Sequence, residues 1–298
     1  MTTTAGDRPL LQPLGRLLSC IRFDEVLVLQ GAPLLGALFA IRTFAASDLP
    51  LLAALVAGNI LLVAHVFVVN DWSGIHDDLR DPNRAARTFL AKGQDRAAMS
   101  WLALGLLAAS LAIFGLIGLV TLALGLAIAG LSALYSAPAI HWKGRPFFSS
   151  ALHLGGGALH FLLGYATFAP PDARGLGISA FFALVFAAGH LTNEVRDHEG
   201  DAINGIRTSA VAFGKTPSFL AGLALFIAAY ALLAALALEG LAPLVLAGAA
   251  ALCPLHLLAA WRAWRAGLTF VSLRRLQWLY RALFAVIGLA MIVTVPPW

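Results

Sequence analysis

Fifteen acidic residues are spread over a 298-residue chain, yet eight of them fall in two short windows. Asp71, Asp77, Asp78 and Asp81 form the first, directly after Asn70; Glu194, Asp197, Glu199 and Asp201 form the second, directly after Asn193. Each window continues from the end of a long apolar stretch. Carboxylates near a helix C-terminus oppose the helix dipole, and a charge at the centre of a bilayer costs about 2.5–3.5 kcal/mol on insertion scales. A bound divalent cation offsets both costs. Hard oxygen donors in two facing groups suit Mg²⁺, which keeps part of its water shell and bridges to substrate phosphates. The candidate ligands are Asn70, Asp71, Asp77 and Asp78 from the first window, with Asn193, Asp197 and Asp201 from the second. On a helix the i, i+4 spacing of Asp197 and Asp201 puts both carboxylates on one face. For isolated acids such as Asp95, Asp172 and Glu239, a solvated loop charge is a sufficient reading.

The elements that must position these groups are apolar. Hydrophobic residues make up 60% of the chain and charged residues 12%, with a mean hydropathy of +0.85. So little polar surface cannot cover a soluble globule of this size, which excludes a soluble enzyme, a disordered chain and a disulfide scaffold. Cys20 and Cys253 lie far apart beside apolar stretches and read as packing residues. Stretches long enough to cross a bilayer occur at roughly 25–43, 49–70, 97–117, 118–138, 149–169, 177–194, 218–238, 241–261 and 277–295. The polar, basic segment before the first span does not resemble a cleaved signal.

The expected fold is an all-α membrane protein of nine transmembrane helices. Of the twenty Lys and Arg residues, eighteen fall on one side of that arrangement, and only Arg42 and Arg174 fall on the other. This asymmetry places the N-terminus and both acidic windows in the cytoplasm and the C-terminus outside. Topology accounts for the formal charge of +5, so no nucleic-acid partner is expected. Asp71 and Asp197 lie 126 residues apart, the length of four spans. That layout implies one domain over 1–298, with four-helix halves at about 22–138 and 149–262 and a ninth helix at about 277–295.

The two windows together resemble the aspartate-rich motifs, NDxxDxxxD and DxxxDxxxG, of the UbiA superfamily of intramembrane prenyltransferases. Asn70, Asp71 and Asp78 match the first motif, and Asp197, Asp201 and Gly205 match the second. The helix count and Tyr135-Ser136 after the fourth span are also similar to that family. The likeness is greatest to the branch holding chlorophyll synthase, homogentisate prenyltransferases and archaeal lipid prenyltransferases. Two departures stand out. Gly74 occupies the middle aspartate position, with Asp77 as an additional acid, and Thr88-Phe89 follow Arg87 where an Arg-Pro segment is usual. Asp77-Asp78-Leu-Arg-Asp81 also spells the DDxxD of soluble prenyl synthases and terpene cyclases, which keeps a UbiA-type cyclase open as a second reading.

The resemblance implies a UbiA-type fold, a prenyl diphosphate donor, Mg²⁺ as cofactor and a lipophilic acceptor, aromatic in the first instance, met within membrane lipid. It places catalysis on Asp71, Asp78, Asp197 and Asp201. Lys143 and Arg145, then Arg87, Arg22 and Lys215, are the basic side chains available to clamp phosphates, although positive-inside topology accounts for each of them equally. Tyr135 and Ser136 match positions that contact the diphosphate in the family; an interfacial tyrosine is the alternative for the first. Gly155, Gly156 and Gly157 offer either close helix packing or room for a prenyl tail. His76, His153, His160 and His190 are available as bases or acceptor contacts, and none is singled out as catalytic.

Overall fold

The computed structural model describes residues 11–41, 43–80, 85–140 and 142–295, with side chains from Gly15 onward. Asp81 of the first window and the basic Arg8, Arg42 and Arg84 lie outside the described residues. Every regular element described is helical: α1 Leu11–Leu18, α2 Phe23–Val28, α3 Gly31–Ala40, α4 Leu49–Ser73, α5 Ile75–Arg80, α6 Arg96–Ile117, α7 Leu119–Ser136, α8 Phe148–Phe168, α9 Ala173–Ile203, α10 Ser209–Phe213, α11 Lys215–Leu238, α12 Cys253–Arg265 and α13 Phe270–Thr294. A nine-residue 3₁₀ run, Leu244–Leu252, leads directly into α12.

Among the described residues eight segments are long and apolar enough to cross a membrane, one fewer than the sequence predicts. The difference falls on α8, whose 21 residues occupy the expected 149–169 stretch. Ser149, His153, His160 and the glycine triplet dilute its hydropathy, because much of this helix faces protein. It packs against α3 on one side and α9 on another, and α9 in turn packs against α11. The α4 and α6 helices form the other extensive pair.

Glycines let these helices approach to backbone contact. A Cβ built on Gly36 would stand 2.0 Å from the Phe161 carbonyl oxygen, and one on Gly164 would stand 1.8 Å from that of Pro33. The α3–α8 crossing therefore admits no side chain at either point. Elsewhere, Gly58 of α4 and Gly125 of α7 hold the Phe114 ring of α6 between them; an added Cβ at either would come within 2.7 Å of a ring carbon.

Two acids expected as simple solvated charges prove to start helices. Asp95 accepts from the Ala98 amide at 2.7 Å and caps α6, while Asp172 accepts from Gly175 at 2.8 Å and caps α9. The lone pair of a short carboxylate satisfies an amide that has no partner within the helix.

Candidate functional site

The second acidic window does not form a loop. Instead α9 runs on as one helix from Ala173 to Ile203, well beyond the expected end at 194. No proline interrupts it, and it stops only at Asn204-Gly205, where Gly205 takes a positive φ of 68°. The Ile206 amide then bonds back to the Asp201 carbonyl at 2.9 Å, closing the helix end as a glycine-terminated cap does. Asp197 and Asp201 consequently lie one turn apart on a rigid rod.

The first window is built in two pieces. Helix α4 ends at Ser73, with Gly74 as its C-cap, and α5 resumes at Ile75. The Asp77 and Asp78 amides both bond to the Gly74 carbonyl, at 3.0 and 2.9 Å. This short restart carries Asp77 and Asp78 toward α9. The Asn204 side-chain amide donates to the Asp77 carbonyl at 3.2 Å and ties the end of α9 directly to α5.

One small cavity results, lined by Asp77, Asp78, Lys143, Asp197, Gly200, Asp201, Asn204 and Ile206. Four carboxylates from the two windows and one predicted lysine thus meet across 120 residues of sequence. Among the described residues no three His, Cys, Asp or Glu side chains converge closely enough to hold a metal alone. Carboxylate and amide oxygens are the donor type that Mg²⁺ takes, together with waters and phosphate oxygens. Asn204, which lines the cavity, adds an oxygen donor: its Oδ1 is buried without a hydrogen-bond partner among the described residues. Asp77, Asp78, Asp197, Asp201 and Asn204 are the residues that would hold the ion.

Other predicted site residues stand elsewhere. Asp71, in the last turn of α4, pairs with Arg22 through both carboxylate oxygens, with Arg22 Nε 3.1 Å from Oδ2. Arg22 also lies 3.7 Å from Glu25 and covers the Phe67 ring, so its guanidinium is committed to the α2–α4 contact. Asn193 accepts from Gln277 Nε2 at 2.6 Å. Neither Asn70 nor Asn193 borders the cavity. Arg87 and Arg145 are exposed, and Lys215 binds Glu199 and, at 3.3 Å, the Leu268 carbonyl. Of the basic candidates, Lys143 alone borders the cavity. Ser136 is buried and Tyr135 half-buried at the end of α7.

A second polar group lies deeper along the same helices. Glu194 is buried; Oε1 accepts from Ser149 Oγ at 2.8 Å and Oε2 accepts from the Ser209 amide at 2.9 Å. His190 Nε2 lies 2.9 Å from Glu194 Oε1. His153 stacks on His190, with ring centroids 3.7 Å apart and planes 11° from parallel, and Tyr135 presents its ring edge-on to both. Beyond that, Arg196 forms a bidentate pair with Asp197 at 2.7 and 2.8 Å and donates to Gln277 on α13 at 2.9 Å. Gln277 and Asn204 are contributors that the sequence reading overlooked. An amide at the polar edge of an apolar span was the only sign of Gln277, and an amide before the helix-ending glycine the only sign of Asn204.

The glycine triplet divides its roles. A Cβ on Gly157 would come within 2.6 Å of the Phe182 carbonyl of α9, and one on Gly155 would sit 3.3 Å from Leu131. At Gly156 nothing lies within 4 Å. Packing holds the flanking pair, and open space adjoins the middle glycine.

An all-helical membrane fold with paired aspartate segments facing one cavity defines the class. The sequence model of the UbiA prenyltransferase family matches residues 31–269, and the chain belongs to that family. Among curated proteins none matches the sequence significantly. Solved structures share the fold at low identity. A UbiA homologue from Archaeoglobus fulgidus, solved with GPP and Mg²⁺, superposes with a TM-score of 0.72 at 17% identity, covering 93% of this chain and 99% of its own. A UbiA homologue from Aeropyrum pernix K1 gives 0.71 at 19%, covering 92% and 98%. A digeranylgeranylglyceryl phosphate synthase gives 0.72 at 16%, covering 95% and 99%.

Proposed function

We propose that this protein transfers a prenyl group from a prenyl diphosphate to a lipophilic, aromatic acceptor within the membrane. The observation that carries this reading is the convergence of Asp77, Asp78, Asp197 and Asp201 with Lys143 on one cavity. The Archaeoglobus fulgidus homologue bound to GPP and Mg²⁺ supports the same ligand pair here. Bound Mg²⁺ supplies charge neutralisation for a departing diphosphate. The chain's own part is positional: α9 and α5 hold four carboxylates in register, and Lys143 presents an ammonium to phosphate oxygens. The prenyl chain then lies along α8 toward Gly156, where helix surfaces leave space.

The N-terminus and the acidic cavity face the cytoplasm in this reading, and the C-terminus lies outside, as the distribution of basic residues favours. Helix α8 completes nine spans, with its histidines and serine turned to the protein interior. The chain forms one domain of two four-helix halves and a last helix.

A UbiA-type terpene cyclase is the second reading, motivated by Gly74 and the adjacent pair Asp77 and Asp78, both of which border the cavity. Purified protein incubated with Mg²⁺ and geranyl, farnesyl or geranylgeranyl diphosphate, with and without a phenolic lipid, separates the two. Prenylated phenol with Mg²⁺-dependent diphosphate release is the expected result. A cyclic hydrocarbon or alcohol without acceptor would replace transfer by cyclisation. Absence of diphosphate release under every condition would sink both readings.

A further inference from the structure

The histidine pair below the cavity has a geometry that packing alone does not require. His153 Nδ1 lies 2.8 Å from the Ser149 carbonyl oxygen. A carbonyl can only accept, so Nδ1 carries the ring proton, and Nε2 is left with its lone pair. His153 as a residue is half-buried, beside the open space at Gly156 on the same helix. Behind it, His190 is stacked at 3.7 Å and leads at 2.9 Å to the Glu194 carboxylate. Glu194 is fixed in turn by Ser149 Oγ and the Ser209 amide. The titratable groups facing His153 are therefore Tyr135 from α7 and His190 and Glu194 from α9.

Position supports a chemical role. His190, Glu194, Asp197 and Asp201 follow the spacing i, i+4, i+7, i+11 and so share one stripe of α9. Ser149, His153, Gly156 and His160 repeat the same spacing on α8. His190 lies one and a half to two turns below Asp197, about 10 Å along the axis. That is the depth at which the first prenyl carbons would lie when a diphosphate occupies the cavity. Open space at Gly156 continues the path one turn deeper.

We propose that His153 Nε2 receives the proton that the acceptor gives up, with the Glu194 carboxylate beyond the His190 ring as the negative charge behind the resulting imidazolium. This inference rests on the transferase reading above. The bond from the prenyl carbon to the diphosphate oxygen breaks, and its electron pair leaves with the diphosphate. The acceptor's electron pair forms the new bond to that carbon. The acceptor's hydroxyl or ring proton passes to the His153 Nε2 lone pair, and Glu194 offsets the charge gained. A stacked, hydrogen-bonded histidine with no chemical task is the competing account.

The test measures two products in one reaction: diphosphate released and acceptor prenylated, with purified protein, Mg²⁺, geranylgeranyl diphosphate and a phenolic lipid. For His153→Gln the expected result is uncoupling. Prenylated product falls about a hundredfold, the size of a lost general base, while diphosphate release stays within about threefold and prenyl alcohol accumulates. His190→Gln, which leaves the Ser149 contact of His153 intact, should uncouple in the same direction by a smaller factor; it carries the test if His153→Gln does not fold. Equal losses of release and transfer, or unchanged transfer, in the folded variant would overturn the proposal. Failure of the wild type to release diphosphate would instead remove the transferase reading itself, so the two failures are told apart.

Discussion

Asp197 and Asp201 stand on an uninterrupted helix of 31 residues, whereas Asp77 and Asp78 stand on six residues that restart after Gly74. The first pair is set one turn apart by helix geometry, with Asp197 further fixed by the flanking Arg196. Positioning of the second pair depends on a borrowed contact, the Asn204 bond to the Asp77 carbonyl. The leading acids also differ. Asp71 is consumed by Arg22, while Glu194, at the corresponding end of the other window, is buried in a network with His190 and two serines' worth of donors. One window is thus a rigid half-site and the other an adjustable one that the rigid half holds in place.

The largest effect expected from this contrast is on the rigid side. Asp201→Asn should lower Mg²⁺-dependent diphosphate release by at least about a hundredfold, measured in initial rates at saturating donor, because a carboxylate that would hold the Mg²⁺ facing the leaving group is lost. Asn204→Leu should be milder. It removes both the tie to Asp77 and the amide oxygen of a cavity-lining residue, and we expect about a tenfold loss, read as a raised Mg²⁺ requirement in a metal titration.

Smaller still, and separable by a double-mutant cycle, is the Arg22–Asp71 pair. Arg22→Gln leaves a half-buried carboxylate without its cation and should cost about 1–3 kcal/mol in thermal or denaturant unfolding. Adding Asp71→Asn should restore part of it. Asp71→Asn by itself should reduce diphosphate release far less than Asp201→Asn. Equal losses would return Asp71 to the metal site.

The smallest effect belongs to the opposite end of the fold. Asp172→Ala should cost about 1 kcal/mol of stability through the lost α9 cap, with activity unchanged. The Gly175 amide, ahead of the Tyr165 hydroxyl, holds the Asp172 carboxyl below its ordinary range. A lowered folded value means that this contribution is present above the unfolded value, about pH 4, and fades as the pH falls through the folded one. Unfolding midpoints of wild type and variant should therefore converge only in acid.

The apolar spans, their order and the two acidic windows were readable in the sequence because hydropathy and local spacing are one-dimensional signals. Helix α9 exceeded its expected length because hydropathy marks where lipid ends, not where hydrogen bonding ends; Glu194 to Ile203 is polar yet helical. Helix α8 fell short in hydropathy for the converse reason, since His153 and His160 turn toward protein and not lipid. The side-chain partners that Arg22, Asp71 and Asn193 take in the structure lie 49 and 84 residues away. Periodicity within one segment carries no information about such contacts. The link between Asn204 and Asp77 spans 127 residues and was invisible for the same reason.

The claim that the two windows act as one metal–diphosphate site is tested most directly by a Mg²⁺ titration of diphosphate release. The comparison is between wild type, Asp78→Asn and Asp201→Asn, with geranylgeranyl diphosphate as donor. The predicted result is a loss of about a hundredfold or more in each variant, with both needing more Mg²⁺ than the wild type. Wild-type rates at wild-type Mg²⁺ concentrations in either variant would contradict it.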